Sequence, residues 1–346
     1  MASLPTIYTP RVMLDAMQQN PRPTTFLAGL LNPTRKNSTS EILEIDVVKG
    51  GRKISTYVTR ESNPAQVGKR GFSTIIHNAP YISEEVTYTA RDAFDRLPGE
   101  SPYSVGNPRD RLNQKVAGWL QDLQDRAIRR EEQQIAEALQ TGKLYITGTG
   151  VDYNVDYQMS ANHIVQLLSG DRWNQTGSAK LSQLEAWAAI ARNDGAPTIT
   201  DVILGTNAAG YLLADTEFKA EASRLSGYNV ATVNPLVSSD GFSTNLGPVR
   251  RVGLSVDLWC YQGQYTDDSG TVKNYIDPDA VILLSRNARY DMHYGPVFNL
   301  KHGTMVIDRF PFMYEDENGK AGHCALESSP LFGLHQPDAV VSVKVV

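Results

Sequence analysis

Cysteine is scarce in this chain: 346 residues contain two, Cys260 and Cys324, too few and too far apart for a disulfide framework or a zinc knuckle. Two reduced, packed thiols are expected. Long apolar runs are missing as well. No stretch approaches the roughly 20 uninterrupted apolar residues that a membrane span needs. The opening MASLPTIYTPRVMLDAMQQNPRP has no basic region followed by a continuous apolar one. No membrane association is expected, and synthesis in the cytoplasm is. No internal repeat of solenoid or propeller period is present.

Motifs that carry chemistry are equally thin. The six histidines, His77, His163, His293, His302, His323 and His335, form no HxH, HExxH or close Cys/His group. His323 and Cys324 are adjacent, and neighbours in a strand point to opposite faces. GTNAAG, from Gly205 to Gly210, stands where a phosphate loop would, but lacks both the GxGxxG spacing and a Walker lysine. It reads as a strand-to-helix turn capped by Thr206 or Asn207. TGTG at 147–150 reads as a hairpin turn, the Asp267-Asp268 pair and the DPDA turn lack calcium-loop spacing, and no GxSxG elbow occurs. No catalytic residue, metal site or cofactor is expected, and the chain is not read as an enzyme. A small-molecule-binding or hydrolytic enzyme built on the region 176–290 is the competing assignment from a different class.

What is present is an ordinary globular composition, 41% hydrophobic and 21% charged, enough for one large domain or two modest ones. The net charge of −5 hides an asymmetry. Residues 1–75 carry ten Lys/Arg against five acids, a net of +5, which leaves −10 on the rest. The basic residues are scattered singly and not in a nucleic-acid-binding block. Docking of a basic leading segment on the acidic body of a neighbouring copy accounts for the split better than phosphate binding by an acidic protein.

Order along the chain is informative. Pro5, Pro10, Pro21, Pro23 and Pro33 break up the first forty residues, leaving one short helix from Arg11 to Gln19. Such a segment buries little of itself and is read as a tail or as an arm ordered by another chain. EILEIDVV, KGGRK and ISTYVTR then form a hairpin pattern with Gly50-Gly51 at the reversal, followed by further β-prone stretches to residue 90. A lone hairpin is marginal in water and needs a partner surface.

A long helix follows. Asn107 is the expected N-cap, Pro108 the first helical residue, Asp110 a favourable first-turn acid and Gly142 the C-terminal stop. Its length predicts a strut of roughly 50 Å. Its apolar period breaks at Glu131 and Glu132, read as a solvated or intersubunit charge cluster. KLYITGTGVDYNVD predicts a second hairpin. A helix capped by Ser178, the strand TITDVILG and a helix TNAAGYLLADTEFKAEA follow, and short strands run to the final AVVSVKVV. Segregated helices and antiparallel strands give an α+β class.

Arm, β-excursion, very long helix and α+β remainder, in that order, resemble the major capsid proteins of tailed bacteriophages, which share the HK97 fold. GKLYITG after the long helix, WCYQGQYTDDSGTVKNYIDPDAVILLS and the ending SSPLFGLHQPDAVVSVKVV are similar to segments of the lambda-type major head proteins. The resemblance implies an N-arm over 1–40, an extended E-loop region over 41–95, and a P-domain over 96–175 with its spine helix at 108–142. An A-domain over 176–275 and return strands over 276–346 complete it. It implies hexamers and pentamers of an icosahedral head that encloses double-stranded DNA without reading its sequence, found in the virion and assembled in the host cytoplasm. A nanocompartment shell of the encapsulin type is the alternative within the same fold.

Expected partners are copies of the same chain, a portal protein, a decoration protein and a separate scaffolding protein. The last is expected because no long helical extension stands before the arm. The self-crosslinking of the HK97 relative does not carry over. The expected intersubunit contacts are Arg35, Lys36, Arg52, Lys53, Arg60, Lys69, Arg70, Glu131 and Glu132.

Overall fold

The computed structural model describes residues 25–50, 54–60, 63, 66–67, 71–95, 107–175, 177–226, 236–237, 242–251, 253–299 and 303–346. The expected helix at 11–19 lies outside them.

The described part of the arm begins with α1 (Phe26–Leu31), whose Phe26, Leu27 and Leu31 are buried. Strand Thr34–Asn37 then lies parallel to strand Tyr290–Tyr294, which pairs on its other side with Pro330–Leu334. Residues 26–37 are therefore part of their own subunit, contrary to the expectation that the first forty residues bury little. FLAGLL carries enough apolar surface to repay ordering once a fold is there to receive it.

The hairpin expected around Gly50-Gly51 is also corrected. Strand Ile42–Val47 pairs antiparallel with Ser73–Asn78, with Ile45 opposite Ile75, and residues 54–60 are not a strand. Alternation decides this: Leu43, Ile45 and Val47 point inward, whereas Ile54 is 91% and Tyr57 100% exposed. The apolar groups of ISTYVTR have no core to face in this chain.

α2 (Pro108–Thr141) has the ends its sequence predicts. The Asn107 side chain accepts from the Arg109 amide at 3.1 Å, and Gly142 closes the helix in the left-handed region at φ 66°. A side chain at Gly142 would run into Met159. With 34 residues the helix is about 50 Å long. Its first half, through Val116 and Leu120, packs with Tyr88, Met313 and Cys324. These come from a three-stranded sheet of Ile82–Thr89, Ala321–Ser328 and Phe310–Glu315. Its second half enters the main core with Ile135, Ala138 and Leu139. The hairpin Lys143–Gly148 with Val151–Asp156 follows directly, turning at Gly150 with φ 78°.

A seven-stranded mixed sheet forms the other end of the subunit, in the order 164–166, 340–344, 280–284, 201–204, 254–261, 243–251, 236–237. Both faces are covered, which explains why DVIL and AVILL are buried at every position. Val202, Leu204, Val281 and Leu283 meet α3 (Lys180–Asn193) and α4 (Thr206–Ala214) on one face. Ile203, Ile282 and Leu284 belong to the main core on the other. Ser178 does not cap α3 by its side chain: its carbonyl accepts from Lys180 instead, and its hydroxyl donates to Gln175.

TNAAGYLLADTEFKAEA is two helices, not one. Asp215 ends α4 and accepts from the Glu217 amide at 2.7 Å, starting α5 (Thr216–Ser226). Helices and mostly antiparallel strands in separate layers make the fold α+β. Among the described residues no helix is long and apolar enough to cross a membrane. Cys260 and Cys324 are free, buried thiols, and burial pushes Cys324 up to about 12.

Candidate functional site

The segments that stand where phosphate-binding or thiolate chemistry would sit are taken up by packing. Gly205 is N-cap of α4, but neither Thr206 nor Asn207 caps it through a side chain. The amides of Asn207 and Ala208 instead donate to the Pro278 carbonyl at 3.0 and 3.1 Å. A side chain at Gly205 would collide with the Asp277 and Pro278 carbonyls. The glycine thus permits close packing of two backbones, and the amides a phosphate would need are taken. His323 faces away from the Cys324 side, with Nε2 at 3.2 Å from Asp316.

The concentration of unusual polar groups lies where the arm meets α2. Glu132 is fully buried. Its two carboxylate oxygens accept from the amides of Leu27 at 2.7 Å and Ala28 at 3.0 Å, and Oε1 also accepts from the Tyr261 hydroxyl at 3.1 Å. Thr25 offers α1 no side-chain cap, so the orphan amides of that helix are satisfied by an acid on another helix. Burial raises the Glu132 carboxyl above its ordinary value, and the bonds from Leu27, Ala28 and Tyr261 oppose the shift. Phe26 sits beside the rings of Trp259 and Tyr261, at 5.4 and 5.0 Å.

One residue earlier, Glu131 accepts from the Tyr294 hydroxyl at 3.1 Å and from Arg309 at 2.5 Å. Both ends of that ion pair are almost wholly buried. The expectation of a solvated or intersubunit cluster is therefore corrected. The two glutamates face inward because a buried arginine and two helix-start amides compensate them.

Arg35 and Lys36 also have partners in their own chain. Arg35 pairs with Asp308 at 2.8 Å and lies over the Tyr294 ring. Lys36 pairs with Asp291 at 2.5 Å. The fold thus brings Arg35, Glu131 and Glu132 to the meeting of arm and α2, while Lys36 turns to the other face of its strand, where Asp291 lies. Arg60 is exposed in the segment between the paired strands 42–47 and 73–78. Arg52, Lys53, Lys69 and Arg70 lie outside the described residues. Asp291, Asp308, Arg309 and Tyr261, which partner Lys36, Arg35, Glu131 and Glu132 respectively, carried no sequence signal: they lie more than a hundred positions from them.

Beyond the junction, every described residue of the loop from 49 to 72 is exposed. Its root is held, since the Val48 amide donates to the His335 carbonyl at 2.9 Å. Its described apolar groups Ile54, Tyr57, Val67 and Phe72 are exposed. Several large apolar groups exposed on one loop mark a candidate contact with another molecule.

An arm strand added to the body, an exposed loop on a two-stranded root, a spine helix and a sheet buried on both faces define a shell subunit of the HK97 fold. The solved structure of a putative prophage capsid protein from E. coli CFT073 aligns with a TM-score of 0.72 at 17% identity, covering 97% of this chain and 98% of that one. The chain belongs to the family described as phage major capsid protein E, whose model matches residues 9–345. It is a major capsid protein of a tailed phage, a virion component from a structural family and not an enzyme.

Among its relatives, the major capsid protein of Escherichia phage lambda is 23% identical over 98% of this chain and 99% of its own length. That of Escherichia phage N15 is 24% identical over 92% and 93%.

Proposed function

We propose that the chain assembles into the hexamers and pentamers of an icosahedral head, through the loop of one subunit lying on the body of the next. The observation that carries this reading is the loop itself. Between Val48 and Phe72 it holds six Lys/Arg and one acid, with apolar groups exposed on its own subunit. The body outside residues 1–75 carries the net negative charge. Opposite potentials orient the encounter, apolar contact supplies the affinity, and closed symmetry multiplies contacts that are individually weak. Residues 1–40, 41–95, 96–175, 176–275 and 276–346 would act as arm, E-loop region, P-domain, A-domain and return strands.

Assembly in the host cytoplasm would require a separate scaffolding protein and a portal protein, with a decoration protein added to the finished shell. Double-stranded DNA would be enclosed without sequence-specific contacts, since an acidic subunit repels phosphate and lets the duplex slide.

Electron microscopy of the chain co-expressed with its scaffolding protein tests assembly and should show closed shells. Compact monomers persisting under those conditions would overturn the proposal. The electrostatic part has its own test. Reversing Arg60, Lys69 and Arg70 to glutamate should abolish shells while leaving the monomer's melting unchanged, because Arg60 is exposed and exposed charges contribute little to stability. Shells formed in normal yield by the triple variant would remove that part.

A further inference from the structure

Three donor groups converge on one face of the sheet made by Thr34–Asn37, Tyr290–Tyr294 and Pro330–Leu334. Asp291 and His293 stand two apart on the middle strand and so share a face. His335 follows the neighbouring strand. A carboxylate oxygen of Asp291 and one ring nitrogen from each histidine lie within 4.8 Å of one another. Asp291, His293 and His335 are 1%, 9% and 4% exposed.

Their hydrogen bonding is incomplete. His335 Nδ1 is 2.7 Å from the Asp46 carbonyl. A carbonyl only accepts, so Nδ1 carries a proton, and in the neutral ring Nε2 holds a lone pair. That Nε2 stands 2.7 Å from Asp291 Oδ2, yet without hydrogen-bond geometry to any described residue. Nε2 of His293 is likewise buried with no partner among the described residues. Gly333 leaves the space before that ring open, since a Cβ there would stand 3.0 Å from it. Two imidazole nitrogens and a carboxylate oxygen thus stand within 4.8 Å of one another, and neither nitrogen makes a hydrogen bond to a described residue.

We propose that Asp291, His293 and His335 bind a divalent transition-metal ion of the zinc type. Two histidines and one carboxylate are a ligand set zinc accepts in tetrahedral geometry, with the fourth position left to water. Donors around zinc stand about 3.3 Å apart, so side-chain rotation must draw the three inward. The bond from His335 Nδ1 to Asp46 is the outer contact that orients a ligating imidazole. The bound ion would therefore tie the strand 290–294, the segment after Leu334 and the strand that leads into the exposed loop together.

Two cations oppose it. Lys36 Nζ is 2.5 Å and Arg289 Nη2 3.2 Å from Asp291 Oδ2, and a like charge at such distances weakens the ion's hold. The Lys36 side chain is 40% exposed and can withdraw into water. Lysine and metal are therefore alternative occupants of the same carboxylate, which gives the proposal a signature that a purely structural cluster would lack.

The test uses the full-length protein stripped with chelator and titrated with Zn2+ by calorimetry, with metal counted after gel filtration. Co2+ provides a visible spectrum of the coordination. One ion per chain is expected. Affinity should fall at least ~10-fold in His293→Ala and rise at least ~10-fold in Lys36→Met, as changes next to a metal site do. Should His293→Ala fail to fold in chelator, Lys36→Met decides alone, because its side chain is on the solvent side. Absence of binding, or equal affinity in the parent and Lys36→Met, would overturn the proposal.

Discussion

Glu131→Ala should lower the unfolding free energy by about 3–5 kcal/mol, among the largest effects of any single substitution in this chain. The pair it breaks is nearly dry: the side chains of Arg309 and Glu131 are 4% and 8% exposed. Removing the carboxylate leaves a guanidinium inside the protein with no ion-pair partner among the described residues. It also leaves the Tyr294 hydroxyl without its acceptor, a loss of about 1–3 kcal/mol in its own right.

The penalty belongs to the orphaned charge more than to the bond. The double variant Glu131→Leu with Arg309→Met should therefore recover most of the stability, because taking both charges away removes the cost of burying them. Denaturant titration of the three proteins gives the coupling. A double variant as unstable as Glu131→Ala would show that the pair's attraction, and not its desolvation, is what matters.

The second large effect is expected at Glu132. Glu132→Ala strips the cap from α1, leaves the Leu27 and Ala28 amides without their acceptor and removes one bond of the Tyr261 hydroxyl. A lost cap costs about 0.5–2 kcal/mol and an unsatisfied buried donor about 1–3 kcal/mol, so a total of about 2–4 kcal/mol is expected. The loss should be local in its first consequence. Hydrogen exchange at residues 26–31 should accelerate strongly while residues 112–130 of α2 stay protected. Equal acceleration in both would show that the arm is not a separable unit.

The pH dependence separates charge from shape. Burial holds the folded-state carboxyl above its ordinary value. Between the unfolded and folded values the folded protein therefore binds more protons than the unfolded one, and stability falls as pH rises through that window. Glu132→Gln cannot titrate and keeps one acceptor oxygen. Its destabilisation relative to the parent should consequently be smaller at pH 7 than at pH 4. A deficit that grows from pH 4 to pH 7 would contradict burial as the dominant influence on this group.

Features that depend on neighbours in sequence are legible in the sequence alone. Asn107, Pro108 and Gly142 bound α2 where their types require, and the hairpin 143–156 turns at its glycine. Features that depend on a distant partner are not. Gly50-Gly51 looks like a hairpin turn, but the strand that meets EILEIDV is STIIHN, some twenty residues beyond it. Ser178 looks like a cap, yet its hydroxyl is turned to Gln175. Glu131 and Glu132 look like surface acids on a polar stretch of helix, since neither Arg309 nor the start of α1 can be associated with them by spacing.

By itself, then, the sequence determined the punctuation of the long helix, the alternation that turns Leu43, Ile45 and Val47 inward, the charge split between leading segment and body, and the order of elements by which the shell fold is known. Each is a local property of backbone geometry or of side-chain periodicity. Only the tertiary structure decided that residues 26–37 of the arm belong to their own subunit, that two consecutive glutamates are core groups, and that Asp291, His293 and His335 lie side by side. The reason is energetic. Whether a charge can be buried depends on the counter-charge and amides that meet it, and here those arrive from more than a hundred residues away.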